Sequence, residues 1–534
     1  MSFAELLARL GGMGRFQVTY VAALALPLLV LPSHNLLQNF TAGVPEHRCR
    51  PRPGANGTVP ADGRCRRYAE PPRPLPGANG TAEAPTEPCR DGWVYQEGVF
   101  AHTIVTEWDL VCEARSLRQV AQAGYMAGVL LGSGVFGILS DKFGRRALLI
   151  WCYLQLGVTG TGAALAPSFG LYCLCRGLAG LAVAGVTLNS ASLCMEWIPA
   201  GLRAAVGTAN GYCYTLGQFV LAAAAFGLPR WRRLQLAVSL PFYLFFLYSW
   251  LFVESARWQA ISGRPHLALE GLRKVARVNG RKEEGDKLDV ETLRSLAGRE
   301  QAPAGAVRSL GALARTPGMR RVSGGVACIW FSTSFAYYGL AMDLQPFGVD
   351  ARLAQLLFAA ADVPAKLASA VVLSVAGRRA AQAGALGLAG LCVLANVLVP
   401  RELQTLRLVF AIIGKGSLAA SFNCAYIFSA ELFPTVIRQT GMGLGGTMAR
   451  VGSMGAPLVG LAADISPALP LVTYGAAALA AAAAAARLLP ETRRAPLPET
   501  VADVERRAGR LKDEQPQVTV PLAPAEADRG EDGV

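Results

Sequence analysis

Two cations stand where charge is costly. Arg450 lies in "GMGLGGTMARVGSMGAPLVGLAAD", residues 441–464, an otherwise small and apolar stretch with no acid before Asp464. Lys366 lies in "AAADVPAKLASAV", and Asp362 precedes it by four residues, the spacing that puts both on one helix face. A charged side chain at the centre of a membrane helix costs about 2.5–3.5 kcal/mol on insertion scales, so it marks a ligand path or an ion pair. The planar guanidinium of Arg450 offers a fork to a carboxylate or sulfate. Its other use would be an ion pair across a helix bundle, because its own stretch supplies no acid. Lys366 could be neutralised by Asp362 at rest and exchange that partner for an incoming anion.

Other side chains fit around these cations. In "WFSTSFAYYG", Trp330 and Tyr337 are seven apart, as are Phe331 and Tyr338, which draws an aromatic stripe along one helix flank. The interspersed Ser332, Thr333 and Ser334 and two tyrosine hydroxyls favour a wet, ligand-facing wall over packing. Gly207, Gly211, Tyr214 and Gln218 recur at helical spacing, with the glycines allowing close helix contact and Tyr214 and Gln218 facing a cavity. Asn35 and Asn39 lie four apart in "SHNLLQNF", and the Asn35 amide can donate to an anion. His34 reads as a packed residue, and Lys415 has no assigned role. No metal constellation, nucleotide loop or nucleophile triad appears, and the "GLGG" at 443–446 is helix glycine with no phosphate loop after it. Neither an enzyme, a metal site nor a cofactor is expected.

The elements that position these residues are membrane spans. Of the 534 residues 52% are hydrophobic and 16% charged, against about 25% charged in an ordinary soluble chain. Twelve runs approach the ~20 apolar residues a spanning helix needs: 16–39, 118–139, 147–166, 171–195, 204–228, 234–252, 322–342, 353–376, 380–399, 406–428, 439–462 and 469–489. The first has no short apolar core with a small-residue cleavage site, so it reads as a retained helix. The net charge of +14 belongs to loops, and with no soluble basic domain a nucleic-acid partner is excluded.

Two polar segments interrupt the spans. Residues 41–117 are Pro- and Gly-rich and hold Cys49, Cys65, Cys89 and Cys112, with glycosylation sequons at Asn56 and Asn79. They describe an extracellular loop with two disulfides, for which three pairings are open. A third sequon, at Asn39, sits at a helix end close to the membrane. The other eight cysteines fall in predicted helices and read as packing residues. Residues 253–321 are charged and lack cysteine and sequon; with "DKFGRR" (141–146), "GRR" (377–379) and the tail after 490 they gather on the cytoplasmic side, as the positive-inside rule requires. Both termini are then cytoplasmic. "PRWRR" (229–233) falls on the outer side against that rule, for no reason visible in the sequence.

A repeat organises the whole. "MEWIPAGLRA" returns as "AELFPTVIRQ", "GRR" at 144–146 returns at 377–379, and Glu254 of "ESAR" returns as Glu491 of "PETR", all at an offset of about 235 residues. The halves are 1–252 and 322–489, joined by the 253–321 linker and followed by a tail at 490–534. Duplicated halves place a binding site at their interface near mid-membrane. Asp141, Arg145, Arg146, Glu196 and Arg203 should form a charge network on the inner face, with Arg378, Arg379, Glu431 and Arg438 as its counterpart, and inward opening should break it.

"GILSDKFGRRALL" (137–149), "ESARW" (254–258) and "PET" (490–492) resemble loop motifs of the major facilitator superfamily. Together with the Cys-rich loop, "CRDGWVY" (89–95), "TEWDLVC" (106–112) and "ELFPTVIRQTGMG" (431–443), they make the chain similar to solute carrier family 22, in its organic anion transporter branch. The resemblance implies an all-α membrane fold of twelve transmembrane helices in two pseudo-symmetric halves, with a large extracellular loop after the first. It places Arg450 and Lys366 in an anion site and Trp330, Tyr337, Tyr338 and Phe422 in its pocket. Arg176, in "RGLAG", matches a helix-four motif and is assigned to structure. The expected function is polyspecific transport of amphiphilic carboxylates and sulfate conjugates at the plasma membrane. They would exchange for a dicarboxylate by alternating access, with chloride a further candidate partner and membrane lipid as surroundings. An organic cation or zwitterion carrier of the same family is the nearer alternative, and the acid-free surroundings of Arg450 disfavour it. A non-transporting receptor is the other, and the paired inner-loop motifs speak against that.

Overall fold

The computed structural model describes residues 3–51, 64–69, 85–300 and 311–513, apart from single positions within those segments. Its first six long helical segments are α1 (Arg15–Leu36), α2 (Leu117–Phe143), α3 (Arg145–Leu165), α4 (Phe169–Trp197), α5 (Arg203–Gly227) and α6 (Trp231–Ser239, resuming as Pro241–Ser249). The second six are α7 (Pro317–Ala341), α8 (Ala351–Val375), α9 (Arg378–Leu398), α10 (Gln404–Leu432), α11 (Arg438–Gly460) and α12 (Leu469–Leu488). Each lies within a few residues of an expected run. Eight of them are long and apolar enough to cross a membrane by composition: α1 to α4, α8, α9, α10 and α12. The other four are the informative ones. α6 breaks at Leu240–Pro241, where proline has no N–H to continue the ladder. α5, α7 and α11 are diluted by amides, hydroxyls, arginines and glycines, and they carry much of the candidate site.

The repeat is visible as conformation. Gly144 and Gly377, ahead of the two Arg-Arg pairs, both adopt positive φ, +99° and +95°, which an L side chain rarely takes. A Cβ at either would run into the acid of the matching half-ending motif, 2.5 Å from Glu254 and 2.6 Å from Glu491. Close approach recurs too: a methyl at Gly128 would come 2.1 Å from the Gly177 carbonyl, pinning α2 to α4, and one at Gly452 would come 2.4 Å from the Phe331 carbonyl, pinning α11 to α7.

Both halves are capped at the end from which α1 and α7 start, called here the linker end. The linker helix Pro265–Val278 buries Ala268, Leu272, Val275 and Ala276 in one core with Phe3, Leu6 and Leu7 of the N-terminal helix Phe3–Arg9. Asn279 fastens that cap, accepting from the Phe16 N–H (2.9 Å) and donating to the Leu10 carbonyl (3.0 Å) and Gln17 (2.9 Å). In the tail, Glu505 accepts from the N–H groups of Gly318 and Met319 (2.8 and 3.1 Å), so a carboxylate meets the positive end of α7.

At the other end, the loop end, His47–Cys49 pairs with Trp93–Tyr95 and Arg66–Tyr68 with Thr86–Pro88, both antiparallel. Of the three open pairings the structure has Cys49–Cys89 and Cys65–Cys112. Asn56 and Asn79 lie outside the described residues. The Asn39 sequon is overturned as a glycan site: the side chain is 6% exposed, and its Nδ2, the atom a glycan would use, donates to the Ala341 carbonyl at 2.7 Å. The outer "PRWRR" now has a partner. Glu107 of the loop accepts from Trp231 Nε1 (2.8 Å) and forms an ion pair with Arg232, so loop acid holds the local basic charge.

Candidate functional site

The centre of the bundle holds an ion pair that spacing did not foretell. Asp362 on α8 meets Lys415 on α10 at 2.7 Å, with side chains 1% and 0% exposed. The same carboxylate oxygen accepts from Gln218 Nε2 of α5 (2.9 Å) and from the Tyr337 hydroxyl (3.4 Å). Lys415 also donates to Gln218 Oε1 and to the Phe358 carbonyl, both at 3.1 Å. The Asp362–Lys366 pairing that the four-residue spacing left open is not the one formed. A fully buried acid takes the fully buried cation, since either alone would be stranded in low dielectric. Lys366, only half-buried, turns to neutral acceptors on α5 instead, the Gly211 carbonyl and the Thr215 hydroxyl, both at 2.7 Å. It ties the two halves together.

Arg450 has no carboxylate within ion-pair distance among the described residues. Its Nη1 donates to the Gly446 carbonyl one turn back (2.8 Å), and its electrostatic neighbour is Tyr338. Tyr338 is in turn an electrostatic neighbour of Tyr214. Tyr214 accepts from Asn35 Nδ2 (3.1 Å), and Asn35 Oδ1 accepts from the Tyr125 hydroxyl (2.6 Å). Arg450 and Tyr338 thus stand beside a hydrogen-bonded chain that runs from α5 to α1 and α2. Tyr125 was missed in the sequence, where nothing in charge or period marks it.

The aromatic stripe of α7 splits. Phe331 and Phe335 stack on each other (5.4 Å), and Phe335 meets Tyr474 of α12, which is packing. Trp330 and Tyr337 face Phe422 of α10 at 6.1 and 5.3 Å, and Tyr337 meets Tyr338 at 5.3 Å. Trp330 Nε1 donates to Ser429 (3.0 Å). Asn35, Tyr214, Trp330, Tyr338, Lys366, Phe422 and Arg450 are all half-buried, unlike Tyr337, which is buried beside Asp362. Arg176 is buried in the first half, donating to the His34 carbonyl (3.0 Å) and lying over the Tyr125 ring, consistent with a structural place.

The described bonds between halves lie at mid-depth or towards the loop end. Besides those of Lys366 and Gln218 they include Asn39 to Ala341, Gln122 to Met342, and the ion pair of Arg115 with Asp464 at 2.8 Å. In the described bonds each linker-end charge network lies within its own half. Arg145 meets Asp141 (3.0 Å) and Glu196 (3.5 Å), while Arg378 forks onto Glu431 (3.0 and 3.1 Å), which also accepts from Thr492. Arg203 and Arg438 reach back to the carbonyls of Ile198 and Phe433. The Arg146 and Arg379 main-chain N–H groups donate to Glu254 and Glu491. The networks brace adjoining helices of one half, and none of these bonds crosses to the other.

Glu254 and Glu491 occupy equivalent places but differ in balance. Burial pushes the Glu254 carboxyl above its ordinary range, and the N–H groups of Ser255, Arg146 and Arg145 do not offset it. Burial also pushes Glu491 up, but the N–H groups of Arg493, Arg378, Arg379 and Thr492 outweigh it and hold the group below its ordinary range. Ionised Glu491 therefore contributes stability at neutral pH, lost as pH falls through its depressed pKa. Ionised Glu254 costs stability, and that cost is relieved as pH falls through its raised pKa. At pH 7 Glu491→Gln should lower the melting temperature more than Glu254→Gln does, by less than the roughly 1.5–3 kcal/mol of a fully buried charged hydrogen bond. The gap should close below pH 4 (thermal unfolding in nanodiscs). The opposite order at pH 7 would contradict this balance.

Two helical halves around charges gathered at mid-depth make this chain a membrane solute carrier of the major facilitator superfamily. The profile of the "Sugar (and other) transporter" family matches residues 94–500. The inward open conformation of the xylose transporter XylE from E. coli aligns with TM-score 0.64 over 93% of this chain and 99% of that one, at 16% identity, a likeness of fold alone. Solute carrier family 22 member 6 of Oryctolagus cuniculus is 49% identical over 544 residues, covering 99% of this chain and 98% of the relative. Member 6-B of Xenopus laevis is 50% identical over 549 residues, covering 98% and 99%. The chain belongs to solute carrier family 22, in the organic anion transporter branch that its motifs resemble.

Proposed function

We propose that the protein carries amphiphilic organic anions across the plasma membrane by alternating access, with Arg450 as the anion clamp. One observation carries this reading: among the described residues the centre holds three cations, Arg450, Lys366 and Lys415, against one carboxylate, and Lys415 already neutralises that carboxylate. The surplus positive charge, in surroundings of low dielectric, favours an anion and repels a cation. Trp330, Tyr338 and Phe422 supply walls for an apolar body. The organic cation reading is disfavoured for the same reason, since Asp362 has no free charge to offer. With the described cross-half bonds at mid-depth and the loop end, and the linker end taken as cytoplasmic, the arrangement supports a state closed to the outside and open to the cytoplasm.

Exchange is the proposed driving force. Moving one monovalent anion into a negative interior costs about 2.3 kcal/mol per 100 mV. Returning a dicarboxylate outward turns that cost into a gain, and chloride is a further candidate occupant of the surplus charge. Proteoliposomes preloaded with a dicarboxylate should accumulate a labelled aromatic carboxylate faster than empty ones, and should ignore a quaternary ammonium. Equal uptake with and without internal dicarboxylate would reject exchange. Uptake of the ammonium alone would reject the anion reading.

A further inference from the structure

A cavity lies at the loop end, outward of the central charges. It measures about 360 Å³ and is lined by Tyr338 of α7, Pro457 of α11, Leu471 and Tyr474 of α12, Gln119 of α2 and Arg407 of α10. Small-ligand pockets occupy about 300–1,000 Å³, so the volume is adequate. Its inner edge on α11 is Ala456, six residues beyond Arg450 and about 9 Å further along the helix. The walls are mainly apolar, and Arg407 is the one formal charge among the described lining residues.

Arg407 is held ready for a ligand. Its Nε donates to Asn396 Oδ1 (3.1 Å), and the buried Asn396 amide donates in turn to the Arg407 carbonyl (2.7 Å). This fixes the plane of the guanidinium, and its two terminal nitrogens have no hydrogen bond or ion pair to a described residue. Asp464, just beyond α11, is engaged by Arg115 at 2.8 Å. Gly339 lets the Tyr474 ring lie against α7, since a Cβ there would approach that ring to 2.6 Å, and so the ring can form the wall. An apolar cavity with one oriented guanidinium whose terminal nitrogens meet no described partner matches a single anionic head on an apolar body.

We infer that this loop-end cavity, which borders the central site at Tyr338, binds an amphiphile with one anionic head group through Arg407. The occupant can be a free carboxylate reaching the protein from outside or an anionic lipid of the surrounding leaflet. Both share that chemistry. The inference does not rest on what the central site carries.

The test uses the full chain in phosphatidylcholine nanodiscs and a dodecanoate carrying a photoactivatable diazirine at its tail, with labelled positions mapped by peptide sequencing. Label is expected within residues 456–474. Arg407→Gln should raise the half-labelling concentration about tenfold, the loss of one charge-assisted contact. Arg407→Lys should retain most of the labelling, and the matching dodecanol probe should label about tenfold less. Ala463→Phe, which fills the cavity and leaves Arg407 intact, should also reduce label; thermal unfolding shows that each variant is folded. Label that is indifferent to Arg407→Gln, equal for the alcohol, or absent from 456–474 would overturn the site. So would label lost in Arg450→Ala while retained in Arg407→Gln, which would place the probe at the centre. Adding phosphatidylglycerol to the nanodisc assigns the source: suppression of label identifies the lipid, and unchanged label the free amphiphile.

Discussion

Arg450→Asp should abolish uptake of an organic anion while the protein still reaches the cell surface. The guanidinium has no described acid partner, so its removal strands no buried carboxylate, the usual cause of misfolding when one member of a buried pair is lost. What changes is the charge that meets the ligand. A carboxylate at that place repels an anion strongly in low dielectric, and it would leave Lys366 and Lys415 opposed by two acids. Arg450→Lys keeps the charge and loses the fork, so affinity should fall by about tenfold or more with transport retained, the worth of a charge-assisted hydrogen bond. Surface biotinylation beside initial uptake rates measures both effects. Normal delivery of Arg450→Ala with unchanged affinity would remove Arg450 from the site. Retention of that variant inside the cell would show that the arginine serves the fold.

Much of this was readable from residues alone. The twelve helical runs and the duplicated halves follow from composition, period and a repeat that survives as matching positive-φ glycines, whereas the pocket set, Phe422 above all, comes from the family resemblance. Two kinds of information were not readable. The first is choice of partner across helices. Spacing left Asp362 open to Lys366 because both lie on α8, but the carboxylate is won by Lys415, reached only when α8 and α10 pack. Residue types show which charges need compensation, and only tertiary packing shows which pairs meet. The second is direction. Asn39 carries a sequon and reads as a surface amide near a helix end, yet it faces inward and bonds α7. A four-residue spacing with Asn35 was consistent with either face. The polar dilution that removes α5, α7 and α11 from a hydropathy criterion has the same origin, because helices that line a charged centre cannot be uniformly apolar.

Lys415→Ala should be the most damaging single change in the centre, for the opposite reason to Arg450. It would leave the Asp362 carboxylate 1% exposed with only Gln218 and Tyr337 as donors. Breaking a buried pair by removing one partner costs about 3–5 kcal/mol, a large part of the roughly 5–15 kcal/mol that holds a folded protein together. Surface delivery should collapse. Neutralising both partners, as Asp362→Asn with Lys415→Gln, leaves no stranded charge and keeps amide hydrogen bonds to Gln218, so delivery should return. Asp362→Asn alone separates structure from function. Its amide can still meet Gln218, but Lys415 is released and a third uncompensated cation joins Arg450 and Lys366. An anion should then bind more tightly and leave more slowly, so that KM and the maximal rate fall together in a delivered protein. Surface biotinylation with uptake kinetics resolves all three variants. A normally delivered and active Lys415→Ala would show that the pair is dispensable. An Asp362→Asn protein with raised KM would show that the surplus charge does not set anion affinity.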